Sequence, residues 1–285
     1  MSLFDIYADY LDAMSIEKER DPLRLFVTDV GKCPRQVALR LTGAKAYPIT
    51  KQQRYQWDIA EYIEETLMRA LDVANLLCEY QGRIDITDRE NWGGRIDISH
   101  FLPEATDTLR IVEVKSTDPN SFSYVDFPKE WHVNQITVYD HYYDYAGYKR
   151  GTPTLTYFDR SGRSGNEPKE YEVKTDFERI RPLMDELDAM RSALPDLPPI
   201  LPRVLKEFKD GKDRVLKQGP AWQCKPTTKQ GYCPYSGLSC HPNMSWNKWG
   251  TRHDGSWGGW TDSANLDDVS AWANENAHEA LLAAL

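Results

Sequence analysis

The stretch from Gly94 to Lys115 carries residue types that could hold a metal ion beside a phosphate. Two β-rich runs, RIDIS and LRIVEVK, are joined by a polar loop, which is the pattern of two paired strands. The first run presents Asp97, and the second presents Glu113 and Lys115 on either side of Val114. Because side chains alternate along a strand, Glu113 and Lys115 are expected on one face and Val114 on the other.

Two carboxylates and a lysine at one place suit chemistry on a phosphodiester. Mg²⁺ binds through one or two carboxylates and keeps several waters, and Mn²⁺ accepts the same oxygen ligands, so Asp97 and Glu113 are candidate metal ligands. A neighbouring lysine such as Lys115 can orient or deprotonate a water, or neutralise charge on a phosphate. An isolated E-x-K is more often a solvated strand face. Here a glycine pair, Gly93 and Gly94, precedes the aspartate and suits a tight entry to a strand.

The spacing of apolar residues predicts a helix over 51–75 with one acid on its inward side. The apolar positions that share this side are Trp57, Ala60, Ile63, Leu67 and Leu71. Glu64 lies among them, and a buried carboxylate must be paired or bind a metal because an unpaired buried charge is too costly. The alternative is a surface glutamate at the edge of the apolar stripe.

A second helix is predicted over 130–147, with an uncharged polar pair on its inner face. Gln135 and Tyr139 are four residues apart and therefore lie on adjacent turns. Both side chains can hydrogen-bond to a phosphate without carrying a charge. The alternative is that this face packs its aromatic residues, Trp131 among them, against the sheet.

Five cysteines are present, and four of them are candidates for one metal site. Three lie close together in a Pro- and Gly-rich segment over 220–243, where packing explains them poorly, and a fourth precedes a short helix that Gly43 should end. These four are Cys33, Cys224, Cys233 and Cys240. Four thiolates suffice for Zn²⁺ or an iron–sulfur cluster, and a single Cys–Cys pair is the alternative. Cys78, in a predicted strand over 76–87, is expected in the core.

Composition excludes several classes of protein. The chain has 285 residues, 40% of them hydrophobic, which is enough for a sizeable core. It has no apolar run of about 18 residues, so no membrane span is expected. The acidic start, MSLFDIYADYLDAM, is unlike a secretory signal, and a cytoplasmic protein is expected. A net charge of −9 argues against a protein that coats DNA, but it permits a nuclease with a local basic surface. The lack of a P-loop excludes a helicase.

The remaining segments complete the expected organisation. Helices are predicted over 2–17 and 176–193, strands over 153–159 and 169–175, and the run PDLPPILP is expected to be a stiff connector. Four tryptophans lie in a Gly-rich tail that is expected to pack on its own domain or on a partner. The predicted domains are an N-terminal segment over 1–50, a core over 51–195, a connector with three cysteines over 196–245, and the tail over 246–285.

The order of these motifs resembles a known family. Along the chain come Cys-Pro-Arg, a helix with one inward acid, G-x-x-D, E-x-K, Q-x-x-x-Y and three cysteines. This order, over about residues 25 to 245, is similar to the iron–sulfur exonucleases of the PD-(D/E)XK superfamily. The nearest members are the CRISPR-associated Cas-four-type nucleases, with the RecB and AddB nuclease domains as relatives. The resemblance implies an α/β restriction-endonuclease-like core, a mixed central sheet flanked by helices, with a cysteine-ligated iron–sulfur subdomain.

The resemblance also implies roles for residues. Glu64, Asp97 and Glu113 would bind Mg²⁺ or Mn²⁺, with Glu64 where many members have a histidine. Lys115 would be the catalytic lysine, and Gln135 with Tyr139 would form the Q-x-x-x-Y motif of the active site. A [4Fe–4S] cluster would be held by Cys33, Cys224, Cys233 and Cys240. The last two intervals, of eight and six residues, depart from the tight spacing usual in this family.

The expected function is a metal-dependent exonuclease that cuts DNA from its ends, with single strands as the expected substrate. An alternative is a DNA-end-binding accessory subunit of a CRISPR-adaptation or recombination complex with little cleavage of its own, acting with those partners or as a homo-oligomer. A third interpretation is a metal-stapled structural protein without a nucleic-acid role. The motif residues Asp97, Glu113 and Lys115 favour the exonuclease.

Overall fold

A computed structural model describes residues 6–7, 10–11, 22–44, 46, 49–162 and 166–198, and the backbone of 204–210 and 213–219. The chain divides into two compact units, one formed by Met1–Gly31 with Ile49–Asp185 and the other by Lys32–Pro48 with Glu186–Leu285. Most of the helix predicted over 2–17 lies outside the described residues, and the four residues described within it are helical. The cysteine-rich segment and the Trp-rich tail also lie outside them.

The described helices include those predicted after Cys33 and over 51–75, 130–147 and 176–193, and add a short one at Pro119–Ser123. They are α1 (Pro34–Leu41), α2 (Lys51–Val73), α3 (Pro119–Ser123), α4 (Glu130–Tyr142) and α5 (Phe177–Ser192), with a 3₁₀ turn at Val27–Asp29. Helix α2 begins with a capping box, in which the Thr50 hydroxyl accepts from the Gln53 backbone amide at 3.2 Å and the Gln53 side chain accepts from the Thr50 backbone amide at 2.8 Å. No helix in the described ranges is long and apolar enough to cross a bilayer.

Eleven strands are present among the described residues. They are β1 (Leu25–Phe26), β2 (Leu77–Tyr80), β3 (Arg83–Ile84), β4 (Trp92–Arg95), β5 (Ile98–Leu102), β6 (Ala105–Thr117), β7 (Lys149–Arg150), β8 (Thr154–Asp159), β9 (Lys169–Glu172), β10 (Val204–Asp210) and β11 (Asp213–Gly219). A six-stranded sheet has the order β2-β5-β6-β8-β9, with β7 beside β6. A smaller sheet has the order β1-β4-β3.

The six-stranded sheet is mixed. Strands β5 and β6 are antiparallel, β6 and β8 are parallel, and β8 and β9 form the expected antiparallel hairpin. In the parallel pair Glu113 lies opposite Leu155, and Lys115 lies opposite Tyr157. The long strand β6 is therefore central, and its odd-numbered and even-numbered residues face opposite sides of the sheet.

Helices cover both faces of this sheet. On one face α2 packs against an apolar cluster, in which the helix supplies Ile63, Leu67 and Leu71 and the sheet supplies Ile98, Val112 and Val114. On the other face His132 of α4 contacts the Tyr157 hydroxyl at 2.8 Å. The expected α/β fold, with a mixed central sheet flanked by helices, is confirmed. Glu113 and Lys115 alternate with Val112 and Val114, so they lie on the α4 side.

Two residues expected inside are exposed. Trp57 is 54% exposed, because it lies at the edge of the apolar stripe of α2 and outside the part that meets the sheet. Cys78 is exposed on β2, which is an edge strand of the central sheet. The expectation that Cys78 belongs to the core was therefore wrong, because alternation along an edge strand turns one set of side chains to solvent.

Several predicted elements differ in extent. The run RIDIS, predicted as one strand, is divided between β4 and β5, and the strand predicted over 169–175 ends at Glu172. The strand predicted over 76–87 is interrupted at Gln81, which has a positive φ of 56°, so that β2 and β3 belong to different sheets. The helix predicted over 130–147 ends at Tyr142, because Tyr143 takes an extended conformation. The Tyr143 hydroxyl then lies 2.7 Å from Ser99 Oγ on β5.

The second unit contains α1 and a hairpin that was not predicted from the sequence. Helix α1 ends before Gly43, which has the left-handed conformation, with φ of 67°, that suits a residue ending a helix. The buried Arg35 of α1 donates to the carbonyl of Pro198 at 2.7 Å. Strands β10 and β11 pair antiparallel across residues 211–212. The run KDGKD at that place is a turn signal that would have indicated this hairpin.

Candidate active site

The predicted aspartate lies close to the glutamate and lysine of the E-x-K motif, which are on strand β6. Asp97 lies in the short link between β4 and β5, and its Oδ2 accepts a hydrogen bond from the backbone N–H of Val114 at 2.8 Å. This bond ties the aspartate to the residue between Glu113 and Lys115. The antiparallel register, with Ile98 opposite Val112, therefore brings the D and E-x-K motifs together.

Glu113 has one satisfied and one unsatisfied oxygen. Its side chain is 2% exposed, and its Oε1 accepts a hydrogen bond from Lys115 Nζ. Its Oε2 is buried and has no hydrogen-bond partner within the described part of the chain. A buried oxygen that lacks a donor costs free energy, on the order of 1–3 kcal/mol, so a group that supplies positive charge there would be stabilising.

Burial makes the carboxylates of the site harder to ionise. Burial raises the pKa of Glu113 to about 8, with the negative Asp97 adding to the effect and Lys115 opposing it. Burial also raises the pKa of Asp97, against the pull of Lys115 and the Val114 amide. Burial lowers the pKa of Lys115, but the attraction of Glu113 and Asp97 outweighs it and leaves that pKa raised. Lys115 is therefore an ammonium at neutral pH.

Glu64 of helix α2 lies near these charged groups. Its Oε2 accepts a hydrogen bond from the side-chain amide of Gln81 at 3.0 Å. Burial raises the pKa of Glu64 to about 7, followed by the repulsion of Asp97, while Lys115 and Arg95 oppose the shift. The carboxylate thus belongs to the same electrostatic cluster, although it is held by Gln81 rather than by Lys115.

The donor set fits a hard divalent ion with few protein ligands. No group of three or more His, Cys, Asp and Glu side chains forms a complete metal cage in the described ranges. Mg²⁺ commonly takes only one or two carboxylates and completes its shell with waters and substrate phosphate. Asp97 and the unpartnered Oε2 of Glu113 supply such a pair. Burial raises the pKa of both carboxyl groups, so a bound cation would favour their ionised forms.

Gln135 and Tyr139 lie beside strand β4, which leads to Asp97. Both are buried, and Gln135 Nε2 donates to the Tyr139 hydroxyl at 3.1 Å. A Cβ at Gly94 would lie only 2.9 Å from Cε1 of the Tyr139 ring. Burial raises the pKa of Tyr139, as does the charge of Glu113, while hydrogen bonds from Gln135 and the Arg95 backbone oppose the rise. The Q-x-x-x-Y pair thus supports β4 and the link to Asp97.

The C-terminal part of α4 is held by a buried carboxylate. Asp140 accepts hydrogen bonds from the Tyr145 hydroxyl at 2.6 Å, from Arg150 Nε at 2.8 Å and from the Thr175 hydroxyl at 2.6 Å. Arg150 Nη2 forms an ion pair with the same carboxylate. These contacts join α4 to β7 and to the segment before α5, which fixes the helix that carries Gln135 and Tyr139.

Two groups near Lys115 were not identified from the sequence. His132 Nδ1 lies 2.8 Å from the Tyr157 hydroxyl, and that hydroxyl also accepts from the backbone N–H of Lys129 at 3.0 Å. Burial, together with the charges of Lys115 and Lys129, lowers the pKa of His132 to about 2. His132 is three residues before Gln135, so helical spacing could have placed it on the same face of α4. The position of Tyr157 depends on the register between β6 and β8, which the sequence does not show.

The cysteine prediction is only partly covered by the described residues. Cys33 is the N-cap residue of α1, is partly buried and forms no disulfide with another described residue. Burial raises the pKa of its thiol, while the nearby backbone amides of Gln36 and Arg35 act to lower it. Cys224, Cys233 and Cys240 lie outside the described residues, so the four-cysteine site stays a prediction.

Comparisons with known proteins give limited structural similarity. No protein-family model matches the sequence, and a search of curated proteins gives no match. Similar solved structures include SSO0001, with 16% identity over 68% of this chain and 89% of that one, at a TM-score of 0.44. They also include the alkaline exonuclease LHK-Exo from Laribacter hongkongensis, with 14% identity over 65% of this chain and 91% of that one, at a TM-score of 0.41. Its complex with dAMP gives 14% identity, 60% and 88% coverage, and a TM-score of 0.41.

Proposed function

We propose that this protein is a Mg²⁺- or Mn²⁺-dependent deoxyribonuclease with a restriction-endonuclease-like core. The observation that carries the proposal is the buried, unpartnered Oε2 of Glu113, next to Asp97 and Lys115. A structural ion pair would satisfy both oxygens of a buried glutamate, whereas this one is left to accept a further cation. Residues that perturb one another in this way are typical of functional sites.

Asp97 and Glu113 would hold the divalent ion. When bound, the ion would supply Lewis-acid chemistry, neutralising charge on the scissile phosphate and activating water for attack. The protein keeps Asp97 in place through the Val114 amide and keeps Glu113 in place through Lys115. Glu64 would contribute negative charge from α2 and is held by Gln81.

Lys115 is suited to stabilising negative charge. Hydrolysis forms a bond from water oxygen to phosphorus and breaks the bond from phosphorus to the sugar oxygen, and negative charge accumulates on the phosphoryl oxygens in between. The raised pKa of Lys115 keeps its amine protonated at neutral pH, so it can donate to those oxygens but cannot accept the proton of the attacking water. The base that accepts this proton would therefore be bulk water or one of the carboxylates.

The more specific parts of the proposed function rest on the order of the sequence motifs. The resemblance to Cas-four-type and RecB-type nucleases supports cleavage from DNA ends with single strands as substrate. It also supports a [4Fe–4S] cluster on Cys33 and three later cysteines. Cys33 would be the first of these ligands and lies partly buried at the start of α1. CRISPR-adaptation or recombination partners are proposed on the same resemblance.

Cleavage of end-labelled DNA tests the assignment of the site. Asp97→Ala and Glu113→Ala should each lower cleavage at least about 100-fold with Mg²⁺ or Mn²⁺, the scale of losing one preorganised charge-stabilising group. Wild type should be inactive in EDTA. Asp107→Ala is the matched control, because Asp107 is exposed and pairs with Lys149 on the surface.

The expected pattern is full activity in the Asp107 variant and loss in both others. Cleavage within a few-fold of wild type in the Asp97 and Glu113 variants would contradict the proposed site. Products released stepwise from labelled ends would support the exonuclease, whereas cleavage of circular single strands would support an endonuclease.

A further inference from the structure

Two arginines face each other on the strands that lead to the carboxylate site. In the antiparallel pair of β3 and β4, Arg83 lies directly opposite Arg95. Ile84, Trp92 and Ile96, which alternate with the arginines along the chain, are buried, and both arginines are exposed. The alternation therefore places the two guanidinium groups on the same outward face.

This arrangement is electrostatically unfavourable unless something compensates for it. Like charges directly opposite on neighbouring strands destabilise a sheet, because their Cβ atoms are only about 4.5–5.5 Å apart. Neither guanidinium forms an ion pair or hydrogen bond with another residue in the described ranges. Other arginines of the same unit do have a carboxylate partner, such as Arg110 with Glu172 and Arg69 with Glu65.

The pair also lies close to the metal-binding carboxylates. The ladder continues from Arg83 and Arg95 through the hydrogen bond from the Gln81 backbone amide to the Asp97 carbonyl at 2.8 Å. Asp97 is two residues after Arg95, which corresponds to roughly 7 Å along an extended chain. The charge of Arg95 is felt at both Asp97 and Glu64, where it favours the ionised carboxylates.

We propose that Arg83 and Arg95 together bind a backbone phosphate of the nucleic-acid strand, next to the phosphate that is cleaved. This inference rests on the proposed nuclease function. Two guanidinium groups present planar donors that suit one phosphodiester anion, and a phosphate would remove the repulsion between them. An adjoining phosphate on the same strand lies at a distance similar to that between the arginine rung and Asp97.

Salt dependence of binding measures the phosphate contact. A short fluorescent single-stranded oligonucleotide is titrated in EDTA with wild type, Arg83→Gln, Arg95→Gln and the double variant. Each lost contact should reduce the slope of log affinity against log salt by about 0.7, so the double variant should lose about 1.4. Arg69→Gln is the matched control and should keep the wild-type slope, because Arg69 is an exposed arginine on α2 paired with Glu65.

A chemical probe locates the contact. Oligonucleotides that carry one uncharged methylphosphonate at successive positions should show one position where wild type loses affinity. The double variant should be insensitive at that position, and Arg83→Lys with Arg95→Lys should restore part of the sensitivity. The melting temperature of the Gln variants should stay the same or rise, since a repulsive pair is removed.

The results separate this inference from the function on which it rests. A wild type that cleaves DNA, together with a double variant that keeps the wild-type slope, would overturn the arginine proposal and leave the nuclease intact. A lowered melting temperature that accounts for the binding loss, with no rescue by lysine, would assign the pair a structural role and also overturn it. A wild type that neither binds nor cleaves DNA would reject the nuclease and this site together.

Discussion

Glu113 carries a structural cost that the proposed metal ion would offset. Its side chain is buried, one oxygen bonds Lys115 and the other has no partner among the described residues. A neutral glutamic acid would suit this position better than a carboxylate, as the pKa of about 8 indicates. A divalent ion reverses that preference, because it favours the ionised form. In the proposed nuclease, Glu113 would therefore couple protonation, metal binding and stability.

The metal-free protein should lose stability as pH rises from 7 towards 8. The pKa of Glu113 is about 8 in the folded protein and ~4.3 when unfolded, so between these values the folded state binds more protons. Its free energy of unfolding then falls with pH, by up to ~1.4 kcal/mol per unit for one proton. Buried His132 acts in the opposite direction, but only below about pH 6.5. Urea unfolding in EDTA measures the slope.

The matched variant is Glu113→Gln, whose amide oxygen can still accept from Lys115. It should flatten the decline between pH 7 and 8, since it removes the group that takes up the proton. Added Mg²⁺ should flatten the decline in wild type but not in the variant. Equal slopes in wild type and variant would show that Glu113 is already ionised in the folded protein.

The sequence predicted that two acids and a lysine would lie together, but it did not predict their surroundings. Asp97, Glu113 and Lys115 were predictable because strand alternation and chemical type pointed to them. Arg95 and Tyr157 were not, because their proximity depends on strand register, which short-range patterns do not encode. Cys78 was misplaced for a related reason, since an apolar run does not tell an edge strand from a central one.

Strand β4 and helix α4 form the element pair that supports the site. Gly94 lets the ring of Tyr139 approach the backbone of β4, and Gln135 holds the hydroxyl of that ring. The Asp140 contacts fix the same helix at its C-terminal end. The G-x-x-D and Q-x-x-x-Y motifs, separate in sequence, are thus one packing unit that sets the position of Asp97.

Gly94→Ala should displace Tyr139 and lower both stability and cleavage. A Cβ at this position would lie 2.9 Å from the Tyr139 ring and 2.9 Å from Val27 Cγ2, so a neighbour must move. Such overpacking typically costs about 1–3 kcal/mol. Urea unfolding gives the stability, and the initial rate on end-labelled DNA gives the activity.

A double-mutant cycle with Tyr139→Leu checks the physical reason. The smaller side chain should relieve the clash, so the stability losses of the two variants should be clearly less than additive. Fully additive losses would show that the methyl group added by Gly94→Ala does not act through Tyr139. Tyr139→Phe separates the roles of ring and hydroxyl, since it keeps the packing and removes the acceptor of the Gln135 amide.

Helices were easier to predict than strand extents. The apolar stripe and the Thr50 capping box indicate α2 clearly, and its observed bounds lie within the predicted range. The break at Gln81 was hidden, because a positive φ in a glutamine has no local sequence signal. The hairpin of β10 and β11 was missed although KDGKD is a turn signal, because the flanking runs VLKEFKD and DRVLKQG do not alternate cleanly between polar and apolar residues.

Over the whole molecule, charge is distributed rather than uniform. The net charge of −9 would repel DNA at long range, yet the strands beside the site carry two exposed arginines opposite each other. Local basic groups on an acidic protein restrict nucleic acid to one surface, which suits an enzyme better than a coating protein. This distribution could not be read from the sequence, because it depends on which strands pair.

The cysteine prediction concerns the chain as a whole. Ligation of Cys33 together with the three later cysteines would close a loop of nearly two hundred residues, and loop closure constrains the unfolded chain. We expect anaerobically purified protein to be brown, with iron and acid-labile sulfide in equal amounts. Serine at Cys33, Cys224, Cys233 or Cys240 should bleach the colour and lower the melting temperature.

Cys78→Ser is the internal control, because Cys78 is exposed on β2 and its replacement should affect neither colour nor melting temperature. Colourless protein that contains zinc, and loses it when Cys33 is replaced, would keep the four ligands and reject the iron–sulfur cluster. If Cys33→Ser leaves the metal content unchanged, Cys33 is not a ligand of the site. The raised pKa of its thiol would then reflect burial alone. Because the four replacements remove one ligand each from a single centre, their effects on stability should be far from additive, and any pair should cost little more than one.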